Sequence, residues 1–178
     1  MTSNPVTVRW SALAGPVLLL FYGVLRLLGG VFTNLGHLAF LVGLLVFALL
    51  VTGLRALVPP GSRRLATIAA GAALAGLALL CAAILADLPF DLRETPGVPE
   101  TAGLTLFPVG ALTLFGLLVA ARRLPAWTPL LFGAGIALSL LELALLPAGA
   151  LLILLALGPL RRHTPEPALR PRLASGLR

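Results

Sequence analysis

The sequence predicts an all-α fold, a polytopic transmembrane helix bundle of six spans. Three observations carry the prediction. Hydrophobic residues make up 59% of the 178 residues and charged residues only 11%, with a mean hydropathy of +1.06. A soluble domain carries about 25% charged residues, so there is too little polar surface here to keep a globule in water. The apolar residues fall into runs close to the ~20 residues that a bilayer-crossing helix needs. Finally, the arginines flank those runs instead of forming one patch.

In chain order, Trp10 to Gly29 is the first span. It is too long for a signal-peptide core, Pro16 and Arg26 interrupt it, and no small-residue cleavage site follows, so it reads as retained. A tight connection with Thr33 and Asn34 leads to the second span, His37 to Leu57, which Pro59-Pro60-Gly61 stops. Leu65 to Ala86, the third, is built almost entirely of small residues. Pairs such as Gly71/Ala75 and Ala72/Gly76 let helix backbones approach closely in lipid, which predicts a place at the centre of the bundle. Asp87 to Ala102 is a net acidic loop broken by Pro89, Pro96 and Pro99, and Gly103 to Ala121 is the fourth span.

The run from Thr128 to Leu160 is apolar over thirty-three residues. As one helix it would be roughly 50 Å long against a ~30 Å hydrocarbon core. A break at Pro147-Ala148-Gly149 gives two short legs and a turn sunk below the membrane surface, which then needs protein or water around it. The expected organisation is therefore a transmembrane domain over residues 1–160 and a basic, Pro-containing tail over 161–178, expected to be disordered.

The net charge of +7 comes from thirteen arginines and no lysine. With six spans, Arg9, Arg55, Arg63, Arg64, Arg122, Arg123 and the tail arginines share one side, while Arg93 lies on the other among acids. The positive-inside rule then puts both termini in the cytoplasm of a multi-pass cell-membrane protein. Trp10 and Trp127 fall at the same boundary, where interfacial aromatics belong. This placement explains the charge without a nucleic-acid partner. Arginine-only basicity with abundant Ala, Leu and Gly points to a GC-rich bacterial genome.

A helical hairpin recurs along the chain. Gly36, Phe40, Val42, Gly43, Leu45, Leu50, Arg55 and Leu57 match Gly103, Phe107, Val109, Gly110, Leu112, Leu117, Arg122 and Leu124, always sixty-seven positions on. The repeated hairpins are 36–80 and 103–146. They share one orientation and leave the first and last spans outside, unlike the inverted repeats common in transporters.

Two charges lie within apolar spans, Arg26 and Glu142, and both fall in the outer leaflet at similar depth. A charge there is costly, and a partner or a wet cavity is its usual resolution. An Arg26–Glu142 ion pair, structural or ligand-binding, is the simplest solution. Tyr22 lies one turn before Arg26, and Gly135 and Ser139 share the face of Glu142, which outlines an outward cleft with His37 at its mouth. No G-x-S-x-G, H-E-x-x-H, C-x-x-C or P-loop occurs. Two His and one Cys do not make an ordinary zinc site, so neither a metal nor another cofactor is expected.

Two functions from different classes remain open, with a membrane-embedded enzyme using Glu142 the least favoured. One is a non-catalytic membrane subunit or scaffold. Its partner would be another membrane protein or a second copy, engaged through the Gly71/Ala75/Gly76 helix. The other is binding or transport of a small molecule or lipid through the cleft of Arg26 and Glu142.

Overall fold

The computed structural model describes residues 5–28, 33–87 and 98–162. Among these residues the helices are α1 (Pro5–Leu27), α2 (Thr33–Leu57), α3 (Arg63–Asp87), α4 (Val98–Ala120), α5 (Trp127–Leu141), α6 (Leu146–Ala156) and α7 (Gly158–Arg162). Helices α1 to α4 are long and apolar enough to cross a bilayer, while α5 and α6 are apolar but shorter. No strand occurs among the described residues. The chain is an all-α, multi-pass membrane protein.

Helices adjacent in sequence are adjacent in space from α1 round to α6, and α6 returns to α1 to close the circuit. The extensive pairings are α1 with α2, α3 with α4, and α5 with α6. Lipid tails are as apolar as leucine, so these pairings rest on close packing more than on exclusion of water. Glycines provide the closeness. A Cβ on Gly110 (α4) would collide with the Ala69 carbonyl and Ala73 of α3, and one on Gly103 would meet the Gly76 carbonyl at 2.8 Å. A Cβ on Gly135 (α5) would likewise sit 2.7 Å from the Gly149 carbonyl of α6.

The middle of the circuit is filled by large side chains. Phe47, Leu50, Leu54, Leu114, Phe115, Leu118, Phe132 and Leu157 are all buried. Phe47, Phe107 and Phe132 form a run of edge-to-face contacts at 5.7 and 6.3 Å, and Phe115 joins Phe132 at 4.8 Å. Such tilted and edge-on pairings are the favoured aromatic geometry.

The matched glycines of the repeat each face the preceding helix, those of α4 much more tightly than those of α2. Gly36 and Gly43 of α2 lie against Tyr22 and Leu18 of α1, as Gly103 and Gly110 of α4 lie against α3. The return helices differ. Gly133 of α5 faces Leu112 of α4, whereas Gly71 of α3 faces outward, with open space where a side chain would stand.

Four sequence expectations shift. The α5–α6 hairpin is present, but its turn runs from Glu142 through a 3-10 turn at Leu143–Leu145. Pro147 lies instead in the first turn of α6. The physical reason is that proline disrupts the residues before it while fitting a helix's first turn, so the break falls upstream. Helix α4 begins at Val98, five residues inside the expected acidic loop, with Pro99 and Glu100 in its first turn, where both are favoured. Helix α2 begins at Thr33, inside the expected connection. Helix α3 is not central: Ala66, Ala69, Ala73 and Leu77 face the bundle, while Ile68, Gly71, Ala75 and Ala78 face outward. The rest of the acidic loop (88–97) and the tail beyond Arg162 lie outside the described residues.

Candidate functional site

The bundle has two chemically different ends. At one, the Arg123 guanidinium donates from Nη1 to the Leu57 carbonyl at 2.8 Å, which ties the α4–α5 loop to the end of α2. Val8, at the start of α1, packs on Gly53 near that same end of α2. Arg9, Arg55, Arg63, Arg64, Arg122 and Arg123 therefore gather at one end of the bundle. The opposite end carries Arg26 with Asp87, Glu100 and Glu142.

At this second end, Arg26 donates from Nη1 to the Tyr22 hydroxyl at 2.9 Å, across one turn of α1. The Tyr22 ring packs against Phe40 of α2 at 4.8 Å and lies 6.4 Å from the His37 ring. Gly36 allows this approach, since a Cβ there would already press on Tyr22 at 3.3 Å. His37 is half-buried, and its Nδ1 is buried with no hydrogen-bond partner among the described residues. The fold thus brings Arg26, Tyr22 and His37 together across α1 and α2.

Glu142 lies elsewhere on the same end. It is the exposed residue at which α5 stops, with extended backbone (φ −153°, ψ 129°). No ion pair joins it to Arg26 among the described residues, and Arg26 directs its hydrogen bond to Tyr22 instead. Gly135 and Ser139 sit in the α5–α6 seam: the Ser139 hydroxyl donates to the Gly135 carbonyl at 2.8 Å, and both press on Gly149.

The α5–α6 turn falls short of the end of α1. Gly23 of α1 packs against Leu146 and Pro147, at 2.9 and 3.0 Å from a Cβ position. Helix α1 then continues four residues to Leu27, about 6 Å further along the bundle. The fifteen residues of α5 give it about 22 Å, against a ~30 Å hydrocarbon core.

Sequence reasoning missed two features. One is the Arg123 tie between loops sixty-six residues apart, which no local pattern announces. The other is Thr128, fully buried at the start of α5 with Oγ1 unpartnered among the described residues. No group of three or more His, Cys, Asp or Glu side chains comes together among the described residues. The chain matches no protein-family model, no curated protein and no solved structure.

Proposed function

We propose that the chain is a non-catalytic subunit or scaffold of a membrane assembly, with its basic end and both termini in the cytoplasm of the cell that bears it. The observation that carries this reading is Glu142. Its carboxylate is exposed on the short hairpin, without a partner among the described residues, at the end of a fifteen-residue helix of about 22 Å, shorter than a ~30 Å hydrocarbon core. A carboxylate at the bilayer centre costs about 3 kcal/mol on insertion scales, and less toward the boundary. A neighbouring membrane chain that donates hydrogen bonds to Glu142 removes that cost. The filled core of Phe47, Phe115 and Phe132 supports assembly over passage of a solute through the middle.

The test is gentle extraction followed by intact mass under non-denaturing conditions. The wild-type chain should carry a second polypeptide, or a second copy, at fixed stoichiometry. Glu142→Gln should lose it while keeping its own thermal stability. A wild-type chain that travels alone sinks the proposal. The Arg26–Tyr22–His37 cluster favours a second reading, binding of a small molecule or lipid at the outer end. A lone chain with one small adduct, lost in Arg26→Gln, would put that reading first.

A further inference from the structure

Arg63 and Arg64 open α3, and with Thr67 and Ile68 they line a shallow cleft of about 360 Å³ on the outside of the bundle. We propose that this cleft holds the phosphate of an anionic phospholipid in the leaflet on the basic side. The charge pattern is the first ground. Arg26 and Arg123 donate to the Tyr22 hydroxyl and the Leu57 carbonyl, while among the exposed arginines without such a bond only Arg63 and Arg64 line this cleft together. Arg63 and Arg64 are exposed neighbours of like charge, and neither guanidinium has a hydrogen bond or ion pair among the described residues. The Thr67 hydroxyl donates to the Arg63 carbonyl at 2.8 Å, so it leaves both guanidinium groups free. Two free guanidinium groups on one cleft present the planar donor sets that phosphate oxygens match.

Depth is the second ground, and it selects a lipid over a soluble anion. Helix α3 has twenty-five residues, or about 37 Å, against a hydrocarbon core of ~30 Å. Its first residues therefore stand a few ångströms outside the core, at the level of lipid phosphates. The cleft is also open along the membrane face. Ile68 is 69% exposed, and one turn further Gly71 has open space where a side chain would be. Arg64, Ile68, Gly71 and Ala75 follow helical spacing on one face, so an acyl chain can run from the phosphate toward the bilayer centre.

The experiment titrates delipidated full-length protein, in neutral detergent, with dioleoyl phosphatidylglycerol and with dioleoyl phosphatidylcholine, and reads adducts by intact mass. One phosphatidylglycerol per chain should bind in preference to phosphatidylcholine. Arg63→Gln and Arg64→Gln should each weaken it about fivefold, and the pair about thirtyfold, the loss expected for surface arginines facing anionic lipid. Arg55→Gln, at the same end but outside the cleft, should leave binding unchanged. Ile68→Trp fills the cleft without altering charge and should also cut occupancy several-fold, which keeps the test valid if the glutamine variants are unstable. Equal binding of phosphatidylcholine would overturn the proposal, as would an equal loss in Arg55→Gln. So would displacement by millimolar inorganic phosphate, which would mark a free-anion site, or a dimer that excludes the lipid, which would mark this face as a contact between copies.

Discussion

Arg122 holds a left-handed backbone, with φ 56°, the one positive φ outside glycine among the described residues. The hydrogen bonds around it explain why. The Arg123 amide donates to the Leu118 carbonyl at 2.9 Å and the Arg122 amide to the Val119 carbonyl at 2.8 Å. That pair is the Schellman ending of a helix, whose left-handed position usually belongs to glycine. Arg122 bears the steric cost of a Cβ there, and the turn it makes aims Arg123 at Leu57. Arg122→Gly should therefore raise stability by about 1 kcal/mol. Arg123→Ala should lower it by about 1 kcal/mol, since an exposed charge-assisted bond is worth less than a buried one. Unfolding by SDS in mixed micelles measures both, and the opposite sign at Arg122 would refute the strain argument.

At the scale of helices, small residues do two different jobs. On the inner face of α3 and its partner α4 they permit contact that any side chain would block. Gly110→Ala forces a methyl group into the Ala69 carbonyl and Ala73, and should cost about 1–3 kcal/mol. On the outer face, Gly71 has no neighbour near a Cβ position, and Gly71→Ala should be neutral or gain up to about 1 kcal/mol from helix propensity. The same SDS titration compares them, and equal losses would mean that α3 is packed on both faces. The short hairpin follows a similar local logic. Pro147 ends α5 by its effect upstream, and Gly135 facing Gly149 lets the two legs close tightly.

Over the whole molecule, the six membrane helices form a circuit in sequence order, with arginines at one end and acids with Arg26 at the other. This asymmetry predicts orientation. In a Cys81→Ala background, Gly61→Cys in the exposed turn before α3 should react with impermeant reagent only from the cytoplasmic side. Glu100→Cys at the start of α4 should react only from the opposite side. Labelling of both from one side would overturn the circuit, because α3 and half of the bundle separate the two positions.

By itself, the sequence determined the membrane-like class of the fold, the number of apolar helices and the placement of arginines at their ends. Each of these depends on composition, run length or spacing along the chain, which are local quantities. The tertiary structure alone decided which face of α3 is used within the chain, because Gly71 and Gly76 look alike until a neighbour chooses between them. It decided where the last hairpin turns, since a proline constrains four residues upstream without naming which will leave the helix. It also decided that Arg26 turns to Tyr22 and that Glu142 stands apart. A matched depth along the bilayer says nothing about angle around the bundle, and angle is set only by how the six helices pack.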